Sequence, residues 1–202
     1  NFYHSAFIPC FTASLVSYGI SIAMGVEPTR FAVDVPALIP ADLVEVAVLA
    51  ALCAWVSAIF CKVLRFTEHR MAKYVKNPWL RAAAGGAVII ALTLICGTTD
   101  YNGAGMDVIT AAVENGTARP EAFVLKIIFT SITLAAGFKG GEVVPSFFVG
   151  ATFGCAAAPL LGLPAGFGAA LGLVSVFCGA TNCPMASIFL AIEIFGGSGI
   201  LY

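Results

Sequence analysis

The chain has 202 residues, of which 60% are hydrophobic and only 10% are charged. A soluble domain carries about 25% charged residues, so this chain has too few polar side chains to cover a surface in water. The formal net charge of −1 also excludes the basic surface that a nucleic-acid-binding protein needs. We therefore predict an all-α integral membrane protein whose surroundings are the lipid bilayer.

Four charge-poor runs come first in chain order, and a helix crosses a bilayer with about 20 apolar residues. They are residues 1–26, 46–61, 82–99 and 122–137, the last interrupted by Lys126. The first run lacks the basic start and the cleavage site of a signal peptide, so we interpret it as a span. The second span begins after Asp42 and continues into a basic stretch that ends at Asn77-Pro78. Residues 106–114 are predicted to form a short helix.

The positive charges indicate an orientation in the membrane. Six of the ten Lys and Arg residues lie between the second and third runs, at Lys62, Arg65, Arg70, Lys73, Lys76 and Arg81. The positive-inside rule places this segment in the cytoplasm. The mainly acidic segments on either side of these runs then face outward. We expect the plasma membrane, which in a bacterium is the inner membrane.

The last apolar run is different, because no charged residue lies between Val143 and Ile192 and the run is interrupted by Gly and Pro. It is too long for one helix, so we predict two or three shorter, broken or re-entrant helices. Unpaired backbone at membrane depth survives only when it is buried in protein or lines a wet cavity. The spacings Gly162-x-x-x-Gly166 and Gly168-x-x-x-Gly172 fit close packing of helices.

The sequence GFKGGEVVPSFFVGATFG, residues 137–154, contains the clearest of these breaks. Its glycines end one helix, and Pro145 suits the first turn of the next, which we predict to run from Pro145 to Gly154. A helix N-terminus exposes unpaired N–H groups and about half a positive charge. In low dielectric such an end attracts anions strongly, and neighbouring glycines let a small ion come close to the backbone.

Glu142 is unexpected beside an anion site, since an ionised carboxylate repels an anion. An ionisable group at membrane depth costs on the order of 3 kcal/mol and is a functional candidate by default. Two interpretations are open. In the first, Glu142 is neutral when the anion is present and charged when it is absent, which couples proton movement to anion movement. In the second, Glu142 forms a structural ion pair with Lys139.

This stretch resembles the CLC family of chloride channels and proton-coupled halide antiporters, whose motif is Gly-x-Phe-x-Pro. The matching residues run from Gly141 to Pro145, with Val143 in place of the phenylalanine and Glu142 at the variable position. GGEVVP is similar to the fluoride-exporting branch, which usually has Thr where this chain has Val144. Residues 179–193, which include a helix that begins at Pro184 and ends at Glu193, resemble a later segment of the family.

The resemblance implies half of a membrane domain built from inverted repeats. Residues 1–202 would be its second half, and we expect the first half and the last helix to be absent. The family pattern implies anion ligands at the backbone N–H groups of Gly141, Glu142 and Val143, with Glu142 as the proton-coupling candidate. The helix-start motif around them consists of Gly140, Val144 and Pro145.

The function implied is passage of chloride or fluoride across the membrane, as a channel or as a proton-coupled antiporter. The choice of ion stays open. A homodimer is also implied, with residues 2–24 and the helix that begins at Pro184 at the subunit interface.

An intramembrane hydrolase is the alternative class, because Gly197-Ser198-Gly199 could mark a nucleophilic serine. That chemistry needs a neighbouring histidine as a base, and the only two histidines are His4 and His69. We interpret the glycine-serine segment as the start of a loop and expect no enzyme. The seven cysteines are an odd number without a CxxC spacing, so we predict no metal site and no cofactor.

Overall fold

The computed structural model describes residues 4–26, 31–33 and 42–195. Within these residues the secondary structure is helical and contains no β-strand, which confirms the predicted all-α class. The described helices are α1 (His4–Ala23), α2 (Asp42–Tyr74), α3 (Pro78–Cys96), α4 (Met106–Glu114), α5 (Ala122–Ala135), α6 (Val143–Ala157), α7 (Ala165–Thr181) and α8 (Pro184–Phe195). A 3-10 turn, Ala158–Leu161, follows α6 directly.

The chain divides into two compact units, residues 1–30 and residues 31–202. The first unit contains α1, an apolar helix of 20 residues with Pro9 inside it. Most of its described side chains are exposed, including Ile8, Leu15 and Met24. The part of α1 whose side chains are described, Ile8–Ala23, is a shorter apolar helix, so the first span stays a prediction.

Among the described residues, three helical segments are long and apolar enough to cross a membrane: α2, α3 and Val143–Leu161. α5, in the fourth predicted run, has only 14 residues and is shorter than a span. α2 has 33 residues and continues from the second apolar run into the basic stretch, as predicted. A local helix cap causes the break between α2 and α3: Asn77 Oδ1 accepts a hydrogen bond of 3.1 Å from the Trp79 N–H. Pro78 then occupies the first turn of α3, where no N–H is needed.

α2 carries one buried face along its apolar part. Its fully or nearly fully buried side chains recur every three or four residues, at Leu49, Cys53, Val56, Phe60 and Leu64. This spacing is the period of one helix face, and the face packs in a cluster with residues of α5, α6 and α7. α2 therefore supports the central helices.

α6 and α7 form the tightest helix pair, and glycines make their contact possible. A Cβ on Gly150 would collide with the carbonyl oxygen of Gly172, and one on Gly154 with that of Gly168. The missing side chains let the two backbones touch, as in membrane helix pairs with small residues at the interface. This contact confirms the packing predicted from Gly168 and Gly172, and it fixes the direction of α6. Gly162 instead ends the 3-10 turn with φ 84°, so it does not share a helix with Gly166.

Candidate functional site

The segment between α5 and α6 is a break in the helical structure, as predicted. α5 ends at Ala135, and Gly137 turns the chain with φ 96°, a left-handed value that favours glycine. Residues 138–142 form no helix before α6 begins. We call residues 137–143 the break segment.

The start of α6 differs from the prediction by two residues, because the helix begins at Val143 and not at Pro145. The Ser146 N–H donates to the carbonyl oxygen of Glu142 at 3.1 Å, which draws Val143 and Val144 into the first turn. Pro145 has no N–H and needs no acceptor at this place, so it fits the first turn without loss.

This start leaves backbone donors without helical partners. The N–H groups of Val143 and Val144 precede the first bond of the helix, so they have no acceptor within it. The Glu142 side chain makes no capping hydrogen bond to them. Val144 is thus an additional donor, although the sequence suggested it only as part of the helix-start motif.

The predicted site residues lie together at this end of α6. Gly140, Gly141, Glu142 and Val143 are consecutive and all exposed. Pro145 is partly buried, and the next residue, Ser146, is fully buried. The accessible part of the site ends where the helix enters the core.

Glu142 and Lys139 are both exposed and form no ion pair with each other. The structural ion pair, one of the two interpretations of Glu142, is therefore not observed. The proton-linked role of Glu142 stays a prediction.

A cavity of about 580 Å³ lies beside the break segment, and we call it the loop cavity. Its charged lining residues come from α2, α3 and the break segment, and they are Arg65, Glu68, Arg81, Lys139 and Glu142. Arg65 and Arg81 belong to the basic stretch predicted to be cytoplasmic. Under that orientation the loop cavity opens toward the cytoplasm.

Arg81 lies directly against the break segment. Its Nη2 atom is 3.4 Å from the position that a Cβ on Gly137 would take. Its Nε atom is buried and has no hydrogen-bond partner in the described part of the chain. Sequence reasoning missed Arg81 as a site residue, because only the tertiary fold brings α3 to the segment after α5.

Of the residues named for the alternative hydrolase hypothesis, the structure describes only the side chain of His69. His69 is exposed on α2. The segment Gly197-Ser198-Gly199 lies outside the described residues, as does the side chain of His4.

The sequence and the fold are both similar to those of known proteins. The family described as voltage gated chloride channel matches residues 1–202. A chloride/fluoride channel protein of Pseudomonas syringae pv. tomato is 36% identical over 205 residues, covering 96% of this chain and 44% of that protein. The crystal structure of a CLC-type fluoride/proton antiporter superimposes with a TM-score of 0.92 at 30% identity.

That superposition covers 100% of this chain and 51% of the antiporter chain. The chain thus spans about half the length of both relatives. The family match over the whole sequence and the shared fold lead to one conclusion: this chain belongs to the voltage gated chloride channel family, the CLC family, and is an integral membrane protein.

Proposed function

We propose that this chain forms one half of the membrane domain of a protein that moves fluoride or chloride across a bacterial plasma membrane. The single observation that carries the proposal is the start of α6, where unpaired N–H groups meet an exposed, glycine-rich break in the helix. This geometry suits binding and release of an ion, so we propose a transporter or channel and not an enzyme.

The anion is held by the N–H groups of the α6 start. Those of Gly141, Glu142 and Val143 are the donors that the family pattern implies, and the unpaired N–H of Val144 adds to them. The helix dipole places about half a positive charge at this end, and the attraction is strongest where water is excluded. No side chain of Gly140 or Gly141 obstructs a small ion.

Fluoride is the ion that we propose first. The sequence GGEVVP is similar to the fluoride-exporting branch, and the descriptions of both relatives include fluoride. Chloride is the second candidate, since the Pseudomonas relative is described with both ions.

Glu142 is the proposed proton-linked group of the site. Its carboxylate is exposed, makes no capping bond and forms no ion pair with Lys139, so no other group of the described chain occupies it. When ionised it repels a halide at the neighbouring N–H groups, and when protonated it does not. Proton binding and anion binding then favour each other.

Assembly as a homodimer is part of the proposal, because equivalent family segments form the subunit interface. α8 supports it with large exposed apolar side chains, Met185, Ile188 and Phe189. These side chains would be covered by a second copy or by lipid.

The test is an ion-flux assay on the full-length protein in liposomes, run separately with fluoride and with chloride. We expect halide flux with at least one ion, and fluoride flux if the proposed order is correct. Peptide hydrolysis without flux of either ion would overturn the transport function.

Glu142→Gln tests the proton link in the same liposomes. We expect halide movement to continue while the accompanying proton movement falls to the background, because glutamine cannot titrate. Glu68→Gln, which removes the other carboxylate of the loop cavity, is the matched control and should keep the coupling. Unchanged proton movement in Glu142→Gln would contradict the assignment.

A further inference from the structure

Lys126 is a buried cation that the site described above does not use. It lies on α5, in a helix whose other residues are uncharged, and only 1% of its surface is exposed. A lysine is almost never fully buried without a partner, and in a membrane protein an ionisable residue at depth marks a functional position by default.

The partners of Lys126 are neutral. Its Nζ donates to the carbonyl oxygen of Tyr101 at 3.2 Å and to that of Gly103 at 2.8 Å. It also lies 4.7 Å from the centre of the Phe148 ring. All three groups are electron-rich and match an ammonium ion. No described carboxylate forms an ion pair with it.

The Tyr101 phenol is no counter-charge either. It lies in the connection between α3 and α4, where burial raises the pKa of the hydroxyl and the positive charge of Arg119 acts in the opposite direction. The phenol is neutral at physiological pH. The positive charge of Lys126 is therefore not cancelled by the groups that touch it.

The position of Lys126 relates its charge to the candidate anion site. Phe148 lies on α6 five residues after Val143, which is about 7.5 Å along the helix axis. Because Nζ is 4.7 Å from the Phe148 ring, it lies within about two helix turns of the start of α6, a separation on the order of 10 Å. Both groups are held in the same packed unit.

We propose that Lys126 sets the affinity of the anion site: its buried charge, which none of the contacting groups neutralises, strengthens the binding of a small inorganic anion at the start of α6. This inference rests on the proposed function. At a separation on the order of 10 Å and an effective dielectric constant of about 20, a unit charge changes the binding constant of a monovalent anion roughly tenfold.

A competing role is structural, which we call fastening, because the two hydrogen bonds of Lys126 hold the connection between α3 and α4 against α5. Three substitutions separate the roles. Lys126→Arg keeps the charge and the donors, Lys126→Gln keeps donors but removes the charge, and Lys126→Met removes both. A fastening role depends on donors, whereas the proposed role depends on charge.

The experiment is a calorimetric titration of the full-length protein, carried out with fluoride and, separately, with chloride, which measures the binding constant of each ion. Thermal unfolding and size-exclusion profiles serve as folding controls. We expect Lys126→Arg to bind like the unmodified protein, and Lys126→Gln and Lys126→Met to bind about tenfold more weakly. Phe148→Leu, which removes the ring but keeps the charge, should leave the affinity almost unchanged.

The outcomes are separable. Unaltered affinity in Lys126→Gln, or a Gln variant that cannot be purified in folded form, would assign Lys126 to fastening and overturn the proposal. If Phe148→Leu weakens binding as much as Lys126→Met does, packing and not charge controls the site. Absence of halide binding and flux in the unmodified protein would instead refute the proposed function.

Discussion

The α6–α7 contact and the break segment are both rich in glycine, yet they use it in opposite ways. At Gly150 and Gly154 the space of the missing side chain is filled by the backbone of α7. At Gly141 no atom lies within 4 Å of the position that a Cβ would take. The first region uses glycine for contact between helices, and the second leaves the space open.

The difference explains how a small ion site can be both firm and accessible. A site needs its groups held in place by rigid neighbours, and the backbone contact with α7 gives α6 that support. The unpaired N–H groups at the start of α6 stay accessible because the break segment adds no bulk there. Substitutions in the two regions should therefore have different consequences.

The largest effect is expected for Gly154→Ala. The new Cβ would collide with the Gly168 carbonyl, which is backbone and cannot rotate away. We expect a loss of roughly 3 kcal/mol in the free energy of unfolding, because overpacking a close contact forces the helices apart. Thermal or denaturant unfolding of the full-length protein in detergent measures this loss.

The control for this prediction is Gly86→Ala on α3, where nothing lies within 4 Å of the new Cβ. It should not destabilise the protein, since alanine is the better helix former. Equal stability of the Gly154 and Gly86 variants would show that the α6–α7 contact is not tight.

A functional effect without a stability effect is expected for Gly141→Ala. Gly141 has no left-handed backbone conformation and no close neighbour, so alanine fits the fold. The added methyl group keeps an anion farther from the N–H groups. We expect anion binding to weaken by about 1.5 kcal/mol, the scale of one hydrogen bond to a charged group, with unchanged unfolding.

Halide titration and thermal unfolding, carried out on the same preparation of the Gly141 variant, measure the two quantities. Equal affinity of the variant and the unmodified protein would remove Gly141 from the site. A large loss of stability would mean that its space is not open.

The smallest effect is expected for Lys139→Gln. Lys139 is exposed and has no ion pair with Glu142, so its removal should change the free energy of unfolding by less than about 0.5 kcal/mol. Denaturant unfolding measures this change. If Lys139→Gln lowers the free energy of unfolding by several times that amount and Lys139→Arg does not, the interpretation of Glu142 as part of a structural ion pair is correct.

Local signals in the sequence predicted much of the fold. The end of α2 and the start of α3 follow from Asn77 and Pro78, because a cap and a proline act within one turn. The bounds of α4 agree with the predicted short helix at residues 106–114. The apolar runs at residues 46–61 and 82–99 predicted the spans in α2 and α3, because the length and hydropathy of a span are properties of one continuous segment.

The rest depends on contacts between distant parts of the chain. The Val143-Val144 pair fits a loop or a helix equally well. The hydrogen bond from the Ser146 N–H to the Glu142 carbonyl oxygen makes it part of the helix. Arg81 touches the break segment only because α3 packs beside α5. Lys126 interrupted an apolar run in the sequence, and its carbonyl partners became visible only in the folded chain.

The most direct test of the account is to locate the anion. Crystals of the full-length protein soaked in bromide would show its position by anomalous scattering. We expect a bromide peak within hydrogen-bond distance of the Val143 or Val144 nitrogen, at the start of α6. Ordered bromide elsewhere in the membrane domain, with the start of α6 resolved and unoccupied, would contradict it.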